Sequence, residues 1–170
     1  MKLFTGLLTG QVESLGKVEE KLEENFGPID EKSSLIPFDY TDYYRSEMGE
    51  DLMRKFISFR DLVSPETLPE IKLTTNEIER DFSNSGEFNL PRPVNIDPGY
   101  IELSKLVLAT TKNYSHRIYL GKGIYAEVTL GYKDGSFQAQ PWTYPDYRSD
   151  EYIVFFDRLR EKYQHQLKLE

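Results

Sequence analysis

Basic side chains are concentrated in one short segment of this chain. Residues 101–125 carry four of them against a single carboxylate, although the 170-residue chain has a net charge of −8. The four are Lys105, Lys112, Arg117 and Lys122, and His116 lies among them. A positive pocket on a negative surface suits a small anion such as a phosphate, a nucleotide or a carboxylate. The alternative is that these cations are solvated or paired with carboxylates elsewhere in the fold.

Turn signals around this segment predict a three-stranded antiparallel meander over residues 116–142. Gly-Lys-Gly at 121–123 and Asp-Gly at 134–135 mark its two turns. The predicted register places Leu120 opposite Ile124. One face of the sheet then carries Arg117, Tyr119, Tyr125, Glu127 and Thr129, with Trp142 beside Glu127. This face can hold a ring-bearing anionic ligand, or it is an ordinary hydrated sheet face with an Arg117–Glu127 pair.

Two side chains near Arg117 could act in catalysis. His116 and Glu127 are the candidate acid or base, because each can sit beside the charge of Arg117. No known signature of a phosphate loop, dinucleotide-binding turn, nucleophile elbow or zinc helix occurs in the chain. The sequence therefore leaves open whether the protein is an enzyme, and it identifies no cofactor.

Metal-ligating residues are scarce. The chain has no Cys and only two His, which excludes disulfides and cysteine-based metal sites. A hard ion held by carboxylates such as Asp97 and Glu127 is the remaining option. We predict no metal site.

Two loops are candidates to complete a site, and a further turn lies near the last helix. Residues 40–50 form a long connection rich in Tyr and carboxylates, which is typical of functional loops. Residues 95–100 are predicted to end a strand and open a helix, where backbone N–H groups can receive an anion and where Asp97 is alternatively an N-cap. Residues 144–148 form a turn whose rings are expected to pack against the last helix.

Composition limits the class of protein. Hydrophobic residues make up 38% and aromatic residues 14% of the chain, which is enough for a folded core. The net charge of −8 argues against nucleic acid and anionic lipid as partners. No apolar stretch approaches 18 residues, and the first ten residues are too short an apolar run for a signal peptide. A soluble cytoplasmic protein is therefore predicted.

Hydrophobic periodicity predicts an α+β fold in a single domain over residues 1–170. We predict strands at 2–8, 35–40, 52–63 and 94–96. The first helix, from 12 to 26, follows the first strand, and the second helix, from 64 to 82, follows the third. This order matches a ferredoxin-like βαββαβ arrangement over residues 1–99. Residues 100–170 extend it by a helix at 100–111, the meander, and a C-terminal helix capped by Ser149. The alternative for the first of these is a strand at 106–111.

Several runs in the chain resemble an uncharacterised prokaryotic family, catalogued as domain of unknown function 4416. The runs are PFDYTDYYRSEMG (37–49), KLTTNE (72–77), NIDPGY (95–100), LATTK (108–112), HRIYL (116–120), GIYAEVTL (123–130) and PWTYPDYR (141–148). The resemblance covers nearly the whole chain. It implies no known activity, substrate or catalytic residue.

Three hypotheses for function follow. The first is binding of a small anionic, nucleotide-like ligand on the polar face of the meander. Its expected contacts are Lys105, Lys112, His116, Arg117, Tyr119, Tyr125, Glu127 and Trp142. The second is a hydrolase or transferase acting on a phosphorylated metabolite. The third is an adaptor whose Tyr-rich loops at 40–50 and 142–148 contact another protein or form a homodimer.

Overall fold

The computed structural model describes residues 1–169, and within them nine strands form one antiparallel sheet. The strands are β1 (Lys2–Thr9), β2 (Ile29–Lys32), β3 (Ile36–Pro37), β4 (Met53–Leu62), β5 (Asn95–Ile101), β6 (Lys105–Thr110), β7 (Ile118–Gly121), β8 (Ile124–Lys133) and β9 (Ser136–Ala139). The helices are α1 (Leu15–Phe26), α2 (Arg45–Met48), α3 (Leu68–Asn84) and α4 (Asp150–Gln166). None of these helices is long and apolar enough to span a bilayer.

The strand order is β2-β4-β1-β5-β6-β8-β7, with β3 beside β4 and β9 beside β8. The predicted α+β class is confirmed. β1 lies between β4 and β5, and it is buried along its whole length. The meander of β7, β8 and β9 joins the main sheet because β8 pairs with β6. The ferredoxin-like interpretation of residues 1–99 stays a prediction.

Helices cover both faces of the sheet. On one face, α1 and α3 pack on apolar residues of β1, β4 and β5, including Leu7, Ile57 and Ile96. On the other face, α4 packs on an aromatic cluster that contains Phe4 and Phe56. The burial of both faces explains why the central strands have apolar residues at odd and even positions alike.

The predicted helix at 100–111 is wrong, and the alternative strand is correct. β5 continues through Pro98 and Gly99 to Ile101, and β6 follows at Lys105–Thr110. Leu106 and Leu108 face α4, whereas Val107 and Ala109 belong to the cluster on the α3 side. A strand buried on both faces is apolar throughout, which makes it hard to distinguish from a buried helix by periodicity.

Other elements differ at their ends. The predicted strand at 35–40 is reduced to Ile36–Pro37, and the charged edge strand β2 was not predicted. Ser64 and Ser149 precede helical turns as expected, but neither side chain makes a capping hydrogen bond. Asp97 lies inside β5 rather than at a helix start, so neither the N-cap interpretation nor a helix N-terminus for an anion holds there.

Candidate functional site

The sheet forks between β5 and β6. These strands pair only from Gly99, opposite Leu108, to Ile101, opposite Leu106. Before Gly99, β5 stays paired with β1, and beyond Leu108, β6 stays paired with β8. Pro98, which has no backbone N–H, lies where β5 is unpaired on its β6 side. The two halves of the sheet therefore separate at one end.

Side chains of α3 take the place of the missing neighbour strand at the fork. The backbone N–H of Ile96 donates to Oε1 of Glu79 across 2.7 Å. The carbonyl oxygen of Ile96 accepts a hydrogen bond from Nζ of Lys72 across 3.0 Å. Both polar groups of the Ile96 backbone are thus satisfied without a partner strand, which allows the fork to stay open.

A cavity of about 600 Å³ occupies the fork. This volume lies within the usual range of small-molecule sites, about 300 to 1,000 Å³. Its cationic lining residues are Arg54, Lys72, Arg92, Lys112 and Arg117. Its carboxylates are Glu79, Asp97, Glu127 and Asp146. Tyrosine rings from the loop at 40–50 and the turn at 144–148 also line it, namely Tyr40, Tyr43, Tyr44, Tyr144 and Tyr147.

Arg54 is a nearly fully buried cation of this cavity, with only 4% of its side chain exposed. Its Nη1 lies 3.4 Å from Oδ2 of Asp97, and its Nη2 lies 3.6 Å from Oδ2 of Asp146. Charge-assisted hydrogen bonds are usually about 2.7–2.9 Å long. Among residues 1–169 its Nε has no hydrogen-bond partner. The Arg54 guanidinium is therefore buried between two carboxylates, with a long hydrogen bond to Asp97 and a longer ion pair with Asp146.

The absence of a side chain at Gly6 leaves space for the Arg54 guanidinium. Gly6 lies on β1 opposite Phe56, and a Cβ there would be 3.0 Å from Cε1 of Phe56 and 3.3 Å from Nη1 of Arg54. Any larger residue would press on both groups. The guanidinium also lies over the Phe38 ring, 5.3 Å from its centroid.

The carboxylates of the cavity differ in their ease of protonation. Burial acts to raise the pKa of Asp97, but Lys72 and Arg54 outweigh it, so that the pKa lies below its ordinary value. Burial raises the pKa of Asp146 and of Glu79 despite nearby cations. Asp97 therefore keeps its negative charge more firmly than Asp146 and Glu79.

Glu127 is the centre of a second polar cluster, on β8. Its side chain is 2% exposed, and its Oε2 accepts a hydrogen bond from Nε of Arg117 at 2.8 Å. The same oxygen lies 3.0 Å from Nε2 of His116. The Thr129 hydroxyl donates to Oε1 at 3.2 Å. Arg117 also donates to the Tyr144 hydroxyl at 2.8 Å, which ties this cluster to the loop at 144–148.

His116 stacks on two aromatic rings. Its ring centroid is 5.2 Å from that of Trp142, at an interplanar angle of 14°. The Tyr114 ring is 6.1 Å away and inclined by 15°. Trp142 is fixed by a hydrogen bond from its Nε1 to the Val128 carbonyl oxygen. The imidazole is thus oriented both by Glu127 and by its ring neighbours.

The structure brings together only part of the predicted site. Lys112, Arg117 and Glu127 line the cavity. Outside the lining, His116 lies beside Glu127 and Trp142 stacks on His116. Tyr119 and Tyr125 contact each other at a centroid distance of 5.2 Å, away from the cavity lining. The register that pairs them is confirmed.

The basic segment does not form one patch. Lys105 pairs with Glu102 at the start of β6, and Lys122 pairs with Glu70 of α3. Lys105 and Lys112 are at opposite ends of β6, so one strand length separates them. The predicted contact of Lys105 with the ligand therefore has no counterpart in the cavity lining.

The hairpin also departs from its predicted register near the turn. A bulge places Gly121, not Leu120, opposite Ile124. Ile118 and Leu120 are exposed at 69% and 40%, whereas Ile124 is buried in the cluster beside α3. The bulge residue, Leu120, lies next to Gly121. The φ of Gly121 is 121°, a conformation that glycine adopts most readily.

Sequence reasoning missed most of the charged lining. Arg54, Lys72, Glu79, Arg92 and Asp146 were not identified as site residues. One signal was available for Arg54. It alternates with Phe56 and Ser58 on β4, so it occupies a core-facing position of a buried strand. No signal indicated that Lys72 and Glu79 of α3 would meet at the fork.

No group of three or more His, Asp or Glu residues within 1–169 is arranged to hold a metal ion.

A comparison with family models finds one described as "Domain of unknown function (DUF4416)", which matches residues 1–163. No curated protein and no solved structure matches the chain.

Proposed function

Because this chain belongs to the DUF4416 family, whose description names no activity, we propose a function from its geometry: it binds a small anionic metabolite at the sheet fork. The ligand is of nucleotide or sugar-phosphate size, since the cavity measures about 600 Å³. The observation that carries this proposal is Arg54, a buried cation of the cavity lining whose contacts with Asp97 and Asp146 are long and whose Nε has no hydrogen-bond partner within residues 1–169.

The charge balance of the cavity supports an anionic ligand. Five cationic side chains line it against four carboxylates, in a chain whose net charge is −8. Two of those carboxylates, Glu79 and Asp146, have pKa values raised by burial and give up their charge more readily. An anion that approached Arg54 would exchange contacts of 3.4 and 3.6 Å for shorter ones.

The tyrosines of the lining fit a ligand that also has a ring. Tyr43 is exposed at 69%, and its ring centroid lies 5.6 Å from Nζ of Lys112. Tyr144 holds Arg117 through its hydroxyl. A base or sugar ring can pack on these faces while its phosphate reaches the cations.

The first test is a thermal-shift panel on the purified full chain. Its anionic probes are AMP, ATP, glucose 6-phosphate, inorganic phosphate and citrate, and its neutral controls are adenosine and glucose. A ligand at 100 times its Kd stabilises the native state by about 2.7 kcal/mol, which for this chain length corresponds to a rise in Tm of about 5 to 10 °C. We expect such a rise with at least one organic phosphate and none with the neutral probes.

A matched pair of charge reversals locates the binding. Lys112→Glu changes an exposed residue of the cavity lining, and Lys122→Glu makes the same charge change in the same basic segment outside the lining. We expect the first to weaken binding at least tenfold and the second to leave it unchanged. Equal effects of the two variants, or no Tm change with any anion, would overturn the proposal.

The contact between His116 and Glu127 favours a second function, an enzyme that acts on a phosphorylated metabolite. Glu127 lines the cavity and contacts one ring nitrogen of His116 at 3.0 Å, so the pair can exchange a proton with a bound substrate through the Glu127 carboxylate. Turnover of a bound phosphorylated probe that is lost in His116→Ala, while binding persists, would support it. If the bound probe is recovered unchanged, the protein binds it without converting it, and the enzyme hypothesis fails.

A further inference from the structure

A second, shallower cavity lies beside the one at the fork. It measures about 530 Å³ and is bounded by α3, the loop before β5 and Glu47 of α2. Leu73 and Pro91 supply its apolar surface, and Arg80 and Arg92 supply its cations. It is thus comparable in size to the fork cavity, and its two arginines lie among two carboxylates, Glu47 and Glu79.

The two cavities share part of their lining. Asn76, Glu79 and Arg92 belong to both. These residues stand at the open end of the fork, where Glu79 replaces a neighbour strand of β5. The two spaces are therefore adjacent, and these three residues contribute to the walls of both.

Arg92 is the main element of this partition. Its Nη2 contacts Oε2 of Glu79 at 3.0 Å and also the side-chain oxygen of Asn95. Its Nη1 lies 3.8 Å from a Glu47 oxygen, too far for a close ion pair. Since 28% of its side chain is exposed, the guanidinium can meet a ligand from either side.

We propose that the two cavities form one elongated groove and that its ligand is an organic phosphate longer than a mononucleotide, with one half in each cavity and its phosphates near Arg92. This inference rests on the proposed function and specifies its ligand class. The fork cavity alone fits a ligand of mononucleotide size. A second space of about 530 Å³ is superfluous for such a ligand but fits the second half of a dinucleotide-like molecule.

The charges of the second cavity agree with this ligand. Within residues 1–169, Arg80 pairs with Glu77 alone, at 3.8 Å, and its side chain is largely exposed. Neither Arg80 nor the Nη1 of Arg92 is held by a close carboxylate there. Leu73 and Pro91 provide apolar contacts for a ring or chain next to these cations.

The test compares short and long probes by isothermal titration calorimetry. AMP is the short probe, and NAD⁺, diadenosine tetraphosphate and coenzyme A are the long ones. We expect at least one long probe to bind ten times more tightly than AMP. Ser83→Trp fills the second cavity without touching the fork, because Ser83 lines only the second cavity and is exposed. It should remove the advantage of the long probe and leave the affinity for AMP unchanged.

Asn84→Trp is the control, since it adds the same bulk at an exposed, uncharged position of α3 outside both linings. If AMP binds but every long probe binds no more tightly, or if Ser83→Trp preserves the advantage, the elongated groove is refuted and the proposed function survives. If none of the anionic probes binds, the proposed function fails, and this inference fails with it.

Discussion

Oε1 of Glu79 lies 2.7 Å from the backbone nitrogen of Ile96, where a neighbouring strand would otherwise provide a carbonyl oxygen. One side chain of α3 thus caps an open sheet edge inside the protein. The same carboxylate contacts Arg92 through its other oxygen. Glu79 therefore has two roles. It satisfies the Ile96 backbone at the fork, and it contacts Arg92 between the two cavities.

Replacement of Glu79 should reveal its role as the hydrogen-bond acceptor of the Ile96 backbone. Glu79→Ala leaves the Ile96 N–H without an acceptor, and we expect a loss of about 1 to 3 kcal/mol in the free energy of unfolding. Glu79→Gln keeps an acceptor and should lose less. Urea denaturation measures both values, and hydrogen exchange at the Ile96 amide should accelerate only in the alanine variant. Equal stability of the two variants would contradict this role.

Arg54 should control the charge of Asp97. Because Lys72 and Arg54 hold the pKa of Asp97 below its ordinary value, removal of the guanidinium should raise that pKa. Carbon-detected NMR titration of the Asp carboxyl groups in Arg54→Met measures the change. Lys72→Met should act in the same direction if the first variant is unstable. The exposed Arg60→Met serves as the control and should leave Asp97 unaffected.

A buried ion pair away from the cavity should set part of the acid stability. Lys2 is fully buried, and its Nζ lies 2.6 Å from Oδ2 of Asp30. Asp30→Asn leaves this ammonium without its counter-charge and should cost about 3 kcal/mol at neutral pH. The exposed Glu24→Gln, which also breaks an ion pair, should change stability by less than about 1 kcal/mol.

The same pair predicts a pH dependence. Burial acts to raise the pKa of Asp30, but its hydrogen bonds with Lys2 and Ser58 outweigh it, so that the folded-state pKa is lower than the unfolded one. The stabilisation is therefore complete above the unfolded pKa of about 3.9 and disappears as the pH falls through the folded value. The stability gap between the wild type and Asp30→Asn should narrow below about pH 4. A constant gap from pH 7 to pH 2.5 would count against this account.

Gly99 should tolerate no side chain at the point where the sheet forks. A Cβ there would lie 2.5 Å from the Val107 carbonyl oxygen and 2.8 Å from Cζ of Phe4. Gly99→Ala should therefore destabilise the protein by about 1 to 3 kcal/mol. Gly16→Ala in α1, where a Cβ meets nothing within 4 Å, should instead stabilise by about 0.5 kcal/mol. Thermal or urea unfolding of the two variants measures the contrast.

Local patterns in the sequence determined the elements whose signals are short-range. The helix from Leu15 to Phe26 follows from apolar spacing, and the meander follows from its glycine turns. The pairing of Tyr119 with Tyr125 and the contact of Arg117 with Glu127 follow from the same turns. The family was also identified from short runs of residues, which the match over residues 1–163 confirms. Each of these depends on residues close together in the chain.

The cavity was decided only by the tertiary structure. Arg54 and Asp97 lie 43 positions apart, and Lys72 and Ile96 lie 24 apart. They meet because β4, β1 and β5 are neighbours and because β5 leaves β6 before Gly99. Strand order and the point of separation depend on packing of both sheet faces over the whole chain, which local periodicity does not record. For that reason the sequence identified the loops and a few residues around the site, while the fold brought its buried charges together.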